Sequence, residues 1–139
     1  MTTARESFNF TPDQGVPPAV GPFSHVTRWG SLLFVTGQMP TDPTTGDLVS
    51  GGVLAQAEQV RRNLLACLAP FGVGLDDALM VRVYLTDFAD FEAFNAVYRT
   101  WFSGPLPSRT CVGSTGLAAG AAVEIDLIVG VPELAQGST

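Results

Sequence analysis

The sequence contains only two helical patterns but five strand-like segments, and this ratio constrains the fold more than any other feature. Within residues 53–71, apolar side chains recur every three or four positions, which predicts an amphipathic helix that ends at Gly72. Residues 91–102 show the same spacing with mostly aromatic side chains and predict a second helix. Two helices can cover only one face of a sheet of this size. We therefore expect the other face to need a different cover.

The strand-like segments lie at residues 25–28, 32–35, 79–85, 109–114 and 122–130. With the two helices they give the order β-β-α-β-α-β-β, without an internal repeat or a linker to a second domain. In two of these strands, alternate residues are apolar and lie on one side of the strand. They are Leu79, Val81, Val83 and Leu85 in the first, and Val123, Ile125, Leu127 and Val129 in the second. The other face mixes charged groups with apolar side chains: Glu124 and Asp126 with Met80, Tyr84, Cys111 and Ile128. Such a mixture is typical of an interface that encloses a polar site.

The charge balance excludes several classes of function. Seven basic and 13 acidic residues give a formal net charge of −6, whereas nucleic-acid binding depends on clustered basic side chains. All seven basic residues are arginines, so the chain can form neither a Schiff base nor a P-loop. His25 is the one histidine, which excludes a multi-histidine metal site. We expect no nucleic-acid partner and no bound metal.

Composition also bears on the compartment and on assembly. Cys67 and Cys111 both lie in apolar segments, so we expect buried, reduced thiols and a cytoplasmic protein. Charged residues make up 14% of the chain and hydrophobic residues 46%, against roughly 25% charged in an average soluble domain. No apolar run approaches the roughly 18 residues of a membrane span, and the N-terminal segment has no signal-peptide core. We therefore expect no membrane contact, and an oligomer that buries the apolar surface.

Arg109 and Glu124 are the strongest candidates for chemistry. Arg109 opens a strand after a proline-containing turn, where a rigid backbone can hold its guanidinium for two parallel hydrogen bonds to a carboxylate; the alternative is a surface arginine at a strand end. Glu124 lies between apolar neighbours in a strand. It is either a solvent-facing residue or a desolvated acid suited to proton transfer.

Other polar positions carry weaker signals. Thr36 and Gly37 follow an apolar strand, in a loop that either carries function or is a plain turn. Cys111 has no neighbouring histidine in sequence and is either a packing residue or a nucleophile. Ser24 beside His25 lacks the GxSxG elbow and the supporting acid of a hydrolase.

Five motifs occur in an order and spacing that closely resemble the RidA family, also called the YjgF/YER057c/UK114 family. They are GPFSHV (21–26), LLFVTGQMP (32–40) with DPTTG (42–46), VYLTDFADFEAFNAVY (83–98), PSRTCV (107–112) and VEIDLI (123–128). The resemblance covers residues 17–131. It leaves a polar, proline-rich N-terminal arm at 1–16, with at most a short strand near residues 7–10, and a C-terminal tail at 132–139.

The resemblance implies a fold and an assembly. The fold is the α+β, chorismate-mutase-like β-β-α-β-α-β-β arrangement, a mixed sheet with two helices on one face. The assembly is a homotrimer whose three clefts lie between subunits. Both expectations agree with the half-polar sheet face noted above.

The resemblance also implies an activity of the 2-iminobutanoate/2-iminopropanoate deaminase type. Family members with the arginine of the PSRTCV motif hydrolyse reactive enamines and imines, such as 2-aminoacrylate, to 2-keto acids and ammonia without a cofactor. On this resemblance Arg109 binds the substrate carboxylate, and Glu124 acts first as base and then as acid. The implied substrate-binding residues are Phe23, Thr36, Gly37, Asn95 and Cys111. Phe23 departs from the family, in which this position is usually tyrosine, and so lacks a hydroxyl expected to contact substrate.

Two other functions stay open at this point. The first is a pathway-specific deaminase or tailoring enzyme of the same family that acts on a 2-aminomuconate-like or larger imine, an alternative that Phe23 favours. The second is a non-catalytic trimer that binds small carboxylates or has a regulatory role. Arg109 and Glu124 argue against a purely structural role, because the fold needs neither to close.

Overall fold

The computed structural model describes residues 4–132. This part of the chain forms six strands and two α-helices, all strands lying in one sheet. In chain order they are β1 (Glu6–Phe8), β2 (Val26–Trp29), β3 (Leu32–Gln38), α1 (Gly52–Leu68), β4 (Ala78–Leu85), α2 (Phe91–Arg99), β5 (Ser108–Gly113) and β6 (Val123–Gly130). Every predicted helix and strand is present, and β1 corresponds to the short strand expected in the N-terminal arm. The expectation of a loop at Thr36 and Gly37 is wrong, because β3 continues through both residues to Gln38.

The sheet is mixed, with the strand order β1-β2-β3-β6-β4-β5. All neighbouring strands are antiparallel except β4 and β5, which are parallel. A parallel pair cannot be joined by a tight hairpin, and α2 lies in the connection that carries the chain from β4 to β5. The α+β class, the mixed sheet and the two helices therefore match the expectation.

Both helices lie on the same face of the sheet. Helix α1 contacts β3, β6 and α2, and it fully buries the stripe of Val60, Leu64 and Leu68. Complete burial of one such side chain contributes about 1.5–3 kcal/mol, so this stripe holds the helix on the sheet. A short 3₁₀ turn (Ala69–Phe71) follows α1. Gly72 then ends the segment with φ = +70°, a conformation that glycine adopts without steric cost.

Helix α2 is shorter than the spacing of its aromatic residues predicts. It ends at Arg99, whereas the pattern continued to Phe102. Trp101 and Phe102 still pack on the buried Tyr98, with ring centroids 5.4 Å and 4.9 Å from the Tyr98 ring. The spacing beyond residue 99 reflects this aromatic packing rather than helical backbone.

Two β-bulges interrupt the strand alternation. In β3 the register against β6 shifts between Val35 and Gln38, so that both of these residues face the core although they are three positions apart. In β4 the register shifts between Ala78 and Met80, and the extra residue Leu79 is turned outward, with 52% of its surface exposed. The assignment of Leu79 to the apolar side of its strand is therefore wrong, and Ala78 takes that place in the core.

The helix-free face carries a broad apolar surface next to an ion pair. Exposed apolar side chains include Trp29, Phe34 and Val112. Cys111 does not belong to this face, because it pairs with the buried Val83 and packs against the core on the helix side. The assignment of Cys111 to the helix-free face is wrong, since alternation identifies two sides of a strand without saying which side meets the helices.

His25 fastens the N-terminal segment to the sheet. The Phe10 N–H donates to Nδ1 of His25 at 2.9 Å, which leaves Nε2 as the protonated nitrogen that donates to the Pro17 carbonyl at 2.9 Å. The imidazole is buried and stacks on Phe10. Val16, just before Pro17, is also fully buried. Of the predicted C-terminal tail, residues 133–139 lie outside the described residues.

No α-helix among residues 4–132 is long and apolar enough to cross a bilayer. Cys67 and Cys111 are both free thiols; Cys67 is buried, and burial raises its pKa to about 12.

Candidate active site

Glu124 lies on the helix-free face, where the β3 bulge brings backbone against its carboxyl group. A Cβ built on Gly37 overlaps Oε2 of Glu124 and lies 3.0 Å from its Cδ, closer than packed carbon atoms tolerate. Only glycine therefore allows this approach. Burial, and secondarily the charge of Asp126, raise the pKa of Glu124 above its usual range. The result is a half-buried carboxyl group against a glycine backbone, an arrangement suited to holding and passing a proton.

Phe23 and Thr36 lie at the rim of the same region. They line a groove of about 740 Å³ on the helix-free face, together with Gly37, Phe34, Met80 and Asp126. Phe23 is 41% exposed, so its side chain is available to close the groove. We refer to Phe23, Thr36, Gly37 and Glu124 as the acid cluster.

Asp126 is the neighbour that acts on Glu124 through charge. It accepts hydrogen bonds from Arg82 Nε at 2.8 Å and from the Tyr84 hydroxyl at 3.2 Å. These two donors occupy both carboxylate oxygens of Asp126, which leaves Glu124 as the carboxyl group available for proton transfer. Burial first, and then the charge of Asp126, raise the pKa of Tyr84.

Arg109 lies on the other face of the sheet. In β5 it pairs with the buried Val81 of β4, and its guanidinium carbon lies 4.8 Å from the centroid of the Tyr98 ring and 5.7 Å from that of Phe91. Two aromatic rings of α2 therefore hold the guanidinium in place by cation–π contact. None of the ion pairs among residues 4–132 involves Arg109. The N–H donors of its guanidinium are therefore free to bind a ligand.

The space in front of Arg109 is a pocket of about 250 Å³. We call it the arginine pocket and define it by its lining residues: Asn95, Tyr98, Arg99, Leu106, Pro107 and Arg109. The Asn95 Oδ1 and the Tyr98 hydroxyl are buried there and have no hydrogen-bond partner in the described part of the chain. Unpaired buried polar atoms are costly, so a ligand that bonds to them would gain affinity. Burial raises the pKa of Tyr98 to about 12, and Arg109 opposes that shift.

Cys111 lies two residues after Arg109 and is partly buried against the core. Burial raises the pKa of its thiol, while Arg109 acts weakly in the opposite direction. A thiol with a raised pKa is protonated at neutral pH and is a poor nucleophile. Its contribution to a site is therefore through packing and backbone.

The structure separates the candidate residues into two groups. The acid cluster gathers Phe23, Thr36, Gly37 and Glu124, whereas Arg109, Asn95 and Cys111 lie on the helix side. Strand β4 lies between β6, which carries Glu124, and β5, which carries Arg109, and the two side chains occupy opposite faces of the sheet. One chain cannot direct both groups at the same small molecule. Among residues 4–132, no three His, Cys, Asp or Glu side chains form a cluster able to hold a metal ion.

Sequence reasoning missed three features of these groups. The aromatic residues Phe91 and Tyr98 were expected to be helix packing residues, yet they also support Arg109. Arg99 lines the arginine pocket, and its four-residue spacing from Asn95 on a helix was the available signal. The close approach of Gly37 to Glu124 depends on a bulge, for which the sequence carries no signal.

Comparisons with known proteins agree with this fold over nearly the whole chain. The family model described as Endoribonuclease L-PSP matches residues 14–131. The chain is 43% identical to the RutC family protein y4sK of Sinorhizobium fredii over 113 residues, which is 81% of this chain and 90% of that protein. It is 36% identical to a Mus musculus protein named 2-iminobutanoate/2-iminopropanoate deaminase over 112 residues, 81% of this chain and 83% of that one.

A solved structure extends the match to the fold. The crystal structure of RidA from the Antarctic bacterium Psychrobacter sp. PAMC 21119 superimposes with a TM-score of 0.84 at 34% identity, covering 91% of this chain and 99% of that chain. Sequence, family model and fold agree: the chain belongs to the RidA family, whose family model carries the description endoribonuclease L-PSP.

Proposed function

We propose that the protein hydrolyses 2-imino acids, the tautomers of reactive enamines such as 2-aminoacrylate, to 2-keto acids and ammonia. The observation that carries the proposal is the pair of complementary groups: a guanidinium with a free fork in the arginine pocket, and a half-buried glutamic acid in the acid cluster. A relative at 36% identity is named for this reaction. The alternative suggested by the family model's description, cleavage of RNA, is disfavoured by the net charge of −6.

The site we propose is shared between two copies of the chain. Because Arg109 and Glu124 lie on opposite faces of one sheet, a complete site needs the arginine pocket of one copy beside the acid cluster of another. The exposed apolar surface of the helix-free face, with Trp29, Phe34 and Val112, gives such copies a surface to bury. In a homotrimer the same contact occurs three times, so each copy shares in a complete site and three equivalent clefts form.

In this cleft Arg109 binds the substrate carboxylate and neutralises it, which holds the imine carbon in a fixed position. The substrate reacts as its protonated imine. The oxygen of a water molecule bonds to the imine carbon while Glu124 takes one proton from that water, and the C=N electron pair moves to nitrogen, which becomes an amine. Glu124 returns the proton to that nitrogen, the C–N bond breaks with its electron pair on nitrogen, and ammonia leaves. Glu124 takes the remaining hydroxyl proton as the C–O bond becomes the ketone C=O of the 2-keto acid.

The surrounding groups have supporting roles. Because the pKa of Glu124 is raised, it lies closer to neutral pH, which suits a group that serves first as base and then as acid. Thr36 and the backbone near Gly37 and Cys111 position the water and the nitrogen. Phe23 closes the groove against bulk water. The reaction needs no cofactor, because free imines also hydrolyse in water and the protein has only to exceed that rate.

The test generates 2-iminopropanoate in place by oxidising alanine with an amino-acid oxidase, and traps the remaining imine with semicarbazide. We expect the protein to reduce semicarbazone formation, Arg109→Ala to abolish the effect, and Arg62→Gln to leave it unchanged. Arg62 is a matched control because it is an exposed arginine of α1, paired only with Glu58. Unchanged semicarbazone formation, together with measurable binding of 2-oxobutanoate, would instead support a non-catalytic carboxylate-binding protein.

Assembly is tested separately by light scattering at micromolar protein concentration. We expect a mass three times that of the 14.6 kDa chain. A stable monomer would contradict the shared site, whatever the activity.

A further inference from the structure

The arginine pocket contains two guanidinium groups, and the proposed hydrolysis of a simple 2-imino acid uses only one. Arg99 lines this pocket beside Arg109, from the last turn of α2. The ion pairs of the described residues join Arg61 and Arg62 to Glu58, and Arg82 to Asp126. Neither pocket arginine takes part in them. Two unpaired cations lining one small pocket repel each other, and a bound anion relieves that repulsion.

The remaining walls fit a small, elongated polar ligand. Asn95 lies one helical turn before Arg99, so both side chains project from the same side of α2. Asn95 and Tyr98 also line the pocket, and the buried Asn95 Oδ1 and Tyr98 hydroxyl have no hydrogen-bond partner among residues 4–132. Leu106 and Pro107 complete the lining with apolar side chains. The pocket therefore combines cationic and polar groups with apolar contact suited to a short carbon chain.

We propose that Arg99 makes the protein selective for 2-imino acids with a second carboxylate, of four or five carbons. Arg109 binds the carboxylate next to the imine carbon, and Arg99 binds the distal carboxylate. The overall charge of −6 works against anionic ligands, so a second local cation matters more here than it would on a basic protein. This inference rests on the proposed function for the reaction, but its binding component can be measured without catalysis.

The binding test uses two stable keto acids of equal chain length. 2-Oxoglutarate and 2-oxopentanoate differ only in a terminal carboxylate that replaces a methyl group. We expect calorimetry on the full-length protein to give about tenfold tighter binding of 2-oxoglutarate, the size of effect that one charge-assisted contact produces. That preference should fall as salt is raised, because Arg99 is exposed.

Three variants separate a specific contact from a general charge effect. Arg99→Gln should reduce the ratio of the two affinities from about ten to about one. Arg99→Lys should retain part of the ratio, because a lysine keeps the charge without the planar fork. Arg62→Gln removes the same charge outside the pocket and should leave the ratio unchanged. Equal binding of the two keto acids by the unmodified protein, or an equal loss of both affinities in Arg99→Gln, would overturn the proposal.

An activity measurement extends the test to the reaction. With imines generated from aspartate and alanine, the ratio of the two kcat/KM values should fall about tenfold in Arg99→Gln. A ratio that does not change overturns selectivity by Arg99 while leaving imine hydrolysis intact. Binding selectivity that depends on Arg99, without turnover of either imine, refutes the proposed function and supports a dicarboxylate-binding site.

Discussion

Replacing Gly37 with alanine should damage activity far more than stability. The added methyl overlaps Oε2 of Glu124 and lies 3.0 Å from Cδ and 3.3 Å from Cγ. The overlapping oxygen ends a flexible side chain, so Glu124 can relieve the overlap by moving about 1 Å, and strand β3 need not shift. We expect the free energy of unfolding to fall by less than about 1 kcal/mol.

The same movement should be costly for catalysis. A displacement of about 1 Å of a reacting group can cost about 100-fold in rate, so we expect kcat/KM for 2-iminopropanoate to fall by about that factor. Gly130→Ala is the matched control, because Gly130 is also in a strand and a Cβ there meets its nearest atom, a Leu79 methyl carbon, at an ordinary 3.7 Å. Normal activity of Gly37→Ala, or an equal loss in Gly130→Ala, would refute the argument from close approach.

A double-mutant cycle measures the coupling directly. In a Glu124→Ala background the overlapping oxygen is absent, and Gly37→Ala should be neutral or stabilising by about 0.4–1 kcal/mol, because alanine lowers the entropy of the unfolded chain. Urea midpoints must be compared at equal protein concentration, since an oligomer's stability depends on it. If Gly37→Ala lowers the free energy of unfolding equally in both backgrounds, the added methyl group does not clash with the Glu124 side chain.

Three further predictions address the other residues of the proposed cleft. Arg109→Lys should lose 30- to 1,000-fold in kcat/KM, about 2–4 kcal/mol, because a point charge cannot replace two parallel hydrogen bonds; near-normal activity with unchanged mass would exclude the carboxylate role. Because the pKa of Glu124 is raised, its unfavourable ionisation in the folded state should lower the free energy of unfolding as pH rises above the usual glutamate range. Glu124→Gln should remove that slope in urea titrations at several pH values while reducing turnover, and an unchanged slope would argue against a desolvated acid. Phe23→Tyr should raise activity on imines from serine relative to those from leucine and phenylalanine if the pocket is that of a general deaminase, whereas no gain would favour a specialised substrate.

The sequence predicted the elements because hydrophobic periodicity reports which side of each element is buried. The stripe along α1 and the alternation in β6 are both present in the core. Alternation fails at a bulge, because one extra residue moves every later side chain of the strand to the opposite face of the sheet. The side chains of Leu79 and Gly37 give no sign of such an extra residue. The C-terminal end of α2 was mispredicted for another reason, because Trp101 and Phe102 pack on the helix without being part of it.

Arg109 and Glu124 stood out by their positions in the strands, whereas Phe23 and Asn95 were found only by resemblance. The grouping of the candidate residues could be found neither way. Which residues share a cleft depends on strand order and on which face of each strand meets the helices. Cys111 illustrates this, because its strand alternates equally well in either orientation. The parallel pairing of β5 with β4 decides the matter, and it involves contacts distant in sequence.

The bulge in β3 also bears on how this chain can change length. Val35 and Gln38 both face the core, which a regular strand does not permit for residues three apart, so the segment between them holds one residue more than a plain strand would. Deleting a residue there would restore a regular strand, but it would withdraw the backbone from Glu124. Inserting one would turn Gln38 out of the core. We therefore expect a change in chain length to be better tolerated at the exposed turn around Gly46, where a Cβ meets nothing within 4 Å, than between residues 35 and 38.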